Sequence, residues 1–158
     1  NVEVKHLDLC SFDSVRSFKR DLGLRPIHVL VSNAGVMPGQ HVNTIDGYEE
    51  SFQVNALSPL LLAKLLLPNL KLGASASGED GKQSGSRVVY VGSMLDKKGD
   101  LSDLQRHHHD PCKRFLSSTP PFKPFDVYAT SKLAGTLLHI EMARRVQALG
   151  QEEGGGGG

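Results

Sequence analysis

Ile27-His28-Val29-Leu30-Val31-Ser32 runs almost unbroken in apolar, largely β-branched residues and ends on Asn33-Ala34-Gly35. A strand wetted on one face alternates apolar and polar side chains, so this run predicts a strand buried on both faces of a parallel sheet. Parallel strands need crossovers, usually helical, and the flanking sequence supplies them. Upstream, Val2-Glu-Val-Lys-His-Leu7 predicts another strand, and Ser11 predicts the cap of a helix carrying Phe12, Val15, Phe18 and Leu22, stopped by Gly23. Downstream, a loop over residues 33–44 leads to a long helical stretch from Asp46 to Leu72. Arg87-Val-Val-Tyr-Val-Gly-Ser93 then repeats the buried-strand pattern. Residues 94–126 show no period and are rich in Ser, Pro, Lys and His, which predicts an insertion or lid. A last helix is expected from Asp126 to Leu149, with Leu133, Leu137, Ile140 and Ala143 at helical spacing and Gly150 as its stop. Three strands alternating with three helices predict an α/β fold with a parallel sheet, as one domain over residues 1–150 followed by a Gly-rich flexible tail, 151–158.

Composition narrows the function classes. The 158 residues are 39% apolar and 22% charged, as in a folded globular domain. Lys and Arg number 18 against 17 Asp and Glu, a net +1, which gives no field for nucleic acid or an anionic membrane. No uninterrupted apolar stretch of about 18 residues is present, because Pro59, Lys64 and Pro68 break the greasiest segment, Leu57 to Leu72. Cys10 and Cys112 form neither a zinc spacing nor a disulfide framework, which fits a reducing intracellular compartment. His107, His108 and His109 with Cys112 are not expected to hold a metal, since consecutive histidines cannot all face one ion. Asn1 stands where an initiator Met would, directly ahead of the first predicted strand, so the chain is expected to be part of a longer protein.

Tyr128 and Lys132 stand four apart at the start of the last predicted helix and therefore on one face. Free tyrosine titrates near pKa ~10, and a neighbouring cation stabilises the phenolate, which suits a proton donor or acceptor. A partly exposed tyrosine beside a solvated lysine would show the same spacing. Ser93 ends the last predicted strand, where open parallel sheets bind ligands beyond their carboxyl ends; a turn serine would also stand there. Asn33-Ala34-Gly35 ends the neighbouring strand, and its small residues would let a flat ligand approach the backbone.

Asn33-Ala-Gly35, Val54-Asn55, Val91-Gly-Ser93 and Tyr128-Ala-Thr-Ser-Lys132 resemble, in this order, the motifs of the short-chain dehydrogenase/reductase family. Asn33-Ala-Gly-Val-Met37, Asp46-Gly-Tyr-Glu49, Gly99-Asp-Leu-Ser-Asp-Leu104 and Glu141-Met-Ala-Arg-Arg145 look most like its retinol-dehydrogenase-like group. The resemblance implies a partial doubly wound, Rossmann-like sheet and hydride transfer between NADP(H), or NAD, and an apolar alcohol or carbonyl. It also implies roles for single residues. Tyr128 would be the general acid/base, Ser93 would polarise the reacting oxygen, Lys132 would hold the nicotinamide ribose and lower the Tyr128 pKa, and Asn55 would complete the set. Asp8 would meet the adenine, and Asn33, Ala34 and Gly35 would line the adenosine side. The implied partner is a small apolar molecule, with a homo-oligomer allowed and no membrane segment in this chain.

Pro59 adds a physical point, because it has no N–H to give the Asn55 carbonyl four residues earlier and leaves that oxygen free. In the family the corresponding carbonyl is thought to hold a proton-relaying water. The Gly-x-x-x-Gly-x-Gly phosphate turn of the family is absent from these residues; Gly73 to Gly85 follows a helix and is no substitute. The strand at 2–7 would stand apart from 27–32 in the family's sheet, without a partner, and the chain alone is expected to bind NADPH weakly. Two other readings remain. His6-Leu-Asp-Leu9, Asp13-Ser-Val-Arg16 and Arg25-Pro26 also resemble light-dependent protochlorophyllide reductase, although Ala134 stands where that group usually has cysteine. A non-catalytic truncated fragment is the other.

Overall fold

The computed structural model describes residues 2–75, 85–102 and 122–154. Helix α1, Phe12–Leu22, begins where Ser11 accepts a hydrogen bond from the Ser14 amide. It ends at Gly23, whose N–H still donates to the Lys19 and Arg20 carbonyls and whose φ of 63° turns the following chain out of the helix. Strands β1, Val29–Ser32, and β2, Arg87–Tyr90, pair in parallel with Val29 opposite Arg87 and Ser32 opposite Tyr90. Between them, α2 (Glu50–Phe52), a π-helical turn (Gln53–Leu57) and α3 (Ser58–Leu65) run continuously, and α4 (Leu67–Ser75) follows after a 52° bend. Pro68 removes the N–H that would have continued the ladder through the bend. A 3-10 turn, Met94–Lys98, follows β2, and α5 occupies Pro124–Gly154.

The architecture is the expected mixture of helices and parallel strands, with two strands among the described residues instead of three. Val2–Leu7 forms no strand: it has no ladder partner among the described residues, and Val2 and Val4 are almost fully exposed. Pattern supplies propensity only, whereas a strand exists through its neighbours' hydrogen bonds. The expectation that β1 is buried on both faces is also corrected, because Val29 and Val31 stand exposed. Helix α5 continues past Gly150 to Gly154, since glycine inside a helix costs only about 1 kcal/mol and Gln151-Glu152-Glu153 favour helix. Most of the expected insertion, with His107, His108, His109 and Cys112, lies outside the described residues.

Two apolar clusters position the site. Val15 of α1 packs with Leu62 and Leu66 against Leu30 and Ile27 at β1. Phe52 and Ala56 pack with Ala134 of α5. Asn69, fully buried on α4, donates to the Gly23 and Arg25 carbonyls, and the Ile27 amide donates to the Asn69 carbonyl at 3.0 Å. There α4 approaches so closely that a Cβ on Gly73 would collide with the Ile27 carbonyl. Asp46 holds the other end, accepting from the Phe12 amide and the Gln53 side chain. No single helix among the described residues is long and apolar enough to cross a membrane; only the bent pair Glu50–Leu65 and Leu67–Ser75 passes by length and composition together, and it is largely buried.

Candidate active site

The carboxyl ends of β1 and β2, the π-helical turn and the first turns of α5 meet at one end of the sheet. Asn33, Ala34 and Gly35 leave β1 exposed to solvent. Beside them a shallow groove runs between Leu7 and Leu9, the strand end, and Pro59 of α3. Asn55 lies fully buried on the π-helical turn. Its carboxamide clamps Val36 on both sides, Oδ1 accepting from the Val36 amide at 2.8 Å and Nδ2 donating to the Val36 carbonyl at 2.9 Å. Nδ2 also donates to Ser131 Oγ at 2.9 Å, tying the loop after β1 to α5.

Tyr128 and Lys132 share a face of α5, and the Lys132 ammonium lies 5.9 Å from the Tyr128 ring centroid. The same ammonium sits 5.4 Å from the Tyr90 ring centroid and donates to the Val91 carbonyl at 2.9 Å. Lys132 is 3% exposed, and burial lowers its pKa. A Cβ on Gly35 would lie 3.2 Å from both Lys132 Nζ and Asn55 Oδ1, so the absence of a side chain there keeps the ammonium and carboxamide uncrowded.

Asn55, Tyr128, Lys132 and Gly35 are thus brought together, with Asn33 and Ala34 at the rim. Ser93 follows β2 and caps the 3-10 turn, its Oγ accepting from the Leu95 amide at 3.2 Å. Asp8 stands exposed before α1, its Oδ1 accepting from the Cys10 amide, between the groove residues Leu7 and Leu9. The Asn55 carbonyl is not free as expected: Pro59 withholds its donor, but Tyr90 Oη donates to that oxygen at 2.7 Å. The sequence reading passed over Tyr90, Ser131 and Val36. Ser131 lay inside the Tyr128–Lys132 motif, and Tyr90 was marked by its inward parity on β2.

No protein-family model matches the chain. Residue for residue, it is 43% identical over 149 residues to polyprenol dehydrogenase of Mus musculus, covering 91% of this chain and 39% of that protein. Retinol dehydrogenase 14 of Mus musculus is 37% identical over 146 residues, covering 91% of this chain and 38% of that one. The relatives of this stretch are dehydrogenases of the short-chain dehydrogenase/reductase family. An uncharacterised protein of Mycobacterium paratuberculosis superposes on this chain with a TM-score of 0.71 at 33% identity, covering 94% of this chain and 46% of its own. The chain therefore spans about two fifths of the length of the curated relatives it matches. Over that span lie the family's Tyr128-Ala-Thr-Ser-Lys132 and Asn33-Ala-Gly35 motifs, while its glycine-rich phosphate turn does not occur among these residues.

Proposed function

We propose that this stretch supplies the catalytic side of an oxidoreductase that moves a hydride between NADP(H) and the hydroxyl or carbonyl of an apolar substrate, of the isoprenoid-alcohol class named in its polyprenol- and retinol-acting relatives. The observation carrying this reading is the buried Lys132 ammonium, set on the same helix face as Tyr128 and directly beside Gly35 and Asn55. Its only hydrogen-bond partner named among the described residues is a backbone carbonyl, Val91 O, which leaves it N–H capacity for a ribose hydroxyl. Asn33, Ala34 and Gly35, small and exposed, fit a flat group laid against the strand ends, with Asp8 at the far side of the groove. The residues present therefore fit the ribose and adenosine parts of a nicotinamide dinucleotide. When bound, that cofactor supplies or accepts the hydride.

The remaining chemistry falls to the chain. Tyr128 gives a proton to the nascent alkoxide in reduction and takes it back in oxidation. Lys132 stabilises the phenolate form through its charge and holds the ribose. Ser93, whose Oγ only accepts from the Leu95 amide, keeps its O–H to donate to the reacting oxygen, and Asn55 holds Val36 and Ser131 in place. Tyr128→Phe is expected to lower kcat by about 10²-fold or more while cofactor affinity stays within about twofold, because only the proton donor is removed. Turnover of retinal with NADPH, followed in darkness and in light, checks it. Undiminished turnover in the variant would defeat the assignment, and activity only under illumination would favour the protochlorophyllide-type reduction of a carbon–carbon bond.

A further inference from the structure

The π-helical turn poses a problem that the site does not by itself solve. Asn55 must present its carboxamide to Val36 and Ser131 from a backbone whose helical hydrogen bond is withheld by Pro59. A π-turn is an irregularity in the ladder, and a buried carbonyl left in it without a helical donor needs a partner from outside the helix. Tyr90 is that partner, reaching from β2 across the sheet-to-helix layer to the Asn55 carbonyl at 2.7 Å. The reach is possible because residue 135 is glycine: a Cβ there would collide with the Tyr90 hydroxyl and lie 2.9 Å from the Asn55 carbonyl. The Tyr90 ring is held flat, stacked on His139 at 4.3 Å between centroids and 18° between planes. His139 is itself buried and anchored through Nδ1 to the Gly135 carbonyl at 2.8 Å. The Lys132 ammonium lies over the same ring, 5.4 Å from its centroid.

We propose that Tyr90 is a positioning residue of the site, its hydroxyl fixing the Asn55 turn and its ring face fixing the Lys132 ammonium, with Gly135 as the opening that admits it. Hydroxyl and ring act on two different groups, so two substitutions separate them. Tyr90→Phe keeps the ring and loses the bond to Asn55; Tyr90→Leu loses both. Burial pushes the phenol up to about 12, with Tyr128 and Asp96 adding to the rise, so the hydroxyl remains a donor across the working pH range.

The inference rests on the hydride-transfer reading for its kinetic consequence, but not for its structural one, and the two are measured separately. Amide exchange of the chain without cofactor should show the Val36 amide, which the Asn55 side chain protects, exchanging about tenfold faster in Tyr90→Phe, with α1 unchanged. Gly135→Ala should give the same local signature by displacing the hydroxyl. In turnover, Tyr90→Phe should lower kcat about fivefold with KM within about twofold, and Tyr90→Leu should lower kcat further and raise the cofactor KM through Lys132. Unchanged exchange at Val36, a uniform rise across α1 and α5, or failure of Tyr90→Phe to fold would each overturn the proposal in favour of plain packing. Absence of turnover in the unsubstituted protein would count against the hydride-transfer reading alone, since the exchange result stands without it.

Discussion

The two faces of the β1–β2 sheet are made of nearly the same residues and live in different surroundings. Leu30, Val88 and Tyr90 turn toward the helices and are half-buried. One residue along, Val29, Val31, Val89 and Val91 are 49%, 55%, 41% and 39% exposed. Side-chain parity decides which face a residue joins, but only a covering element makes that face a core. The helical face has α1 and the Glu50–Leu65 segment over β1 and α5 over β2, and all the chemistry proposed above lies on or beside it. On the opposite face these valines stand in partial contact with solvent beside the exposed Arg87.

That contrast can be broken most directly on the covered face. Leu66, 1% exposed between α1 and β1, should cost about 2–5 kcal/mol when cut to alanine, as for other buried leucines, measured by urea unfolding. A loss below about 1 kcal/mol would mean that the helices do not form a packed core on the sheet.

A subtler probe is His139, whose pKa is lowered by burial despite the opposing bond to the Gly135 carbonyl. The unfolded chain then takes up a proton near the ordinary histidine value while the native state resists it. Stability should therefore be full above about pH 6.5 and fall as pH drops below it, with a slope of at most about 1.4 kcal/mol per pH unit. His139→Gln should flatten that segment of the profile, and an unchanged slope would assign the effect elsewhere.

The smallest effect belongs to the opposite face. Val31→Thr and Val89→Thr keep the β-branched shape and should shift stability by no more than about 0.5 kcal/mol. Together they should reduce binding of a hydrophobic dye and any concentration-dependent association, because they remove apolar area that is already in water. A loss as large as that of Leu66→Ala would show that the face is covered in solution and would erase the contrast.

The sequence made visible whatever local chemistry decides. Ser11 and Gly23 bracket α1 because a side-chain cap and a positive-φ stop act within one turn of the helix. The β1 and β2 runs were legible from their β-branched content, and Tyr128 with Lys132 from helical spacing. Features decided by distant partners were hidden. Val2–Leu7 carries strand propensity but finds no described neighbour to pair with. Pro59 correctly signalled a carbonyl without a helical donor, yet nothing local revealed that a tyrosine 31 residues later would take its place. The π-register of Gln53–Leu57 was equally silent, since it is settled by what docks against the turn.

Gly73 carries a consequence for tolerance to change. Where α4 meets the entry to β1, the obstacle to a side chain is the Ile27 backbone, which cannot swing aside as a side chain could. Across a series of replacements at this position, the penalty should not climb gradually with side-chain volume. It should arrive in full with the first methyl group, alanine behaving much as valine does. The spacing between that helix and that strand is gauged by a single missing carbon, and a profile of substitution against stability there would be a step and not a ramp.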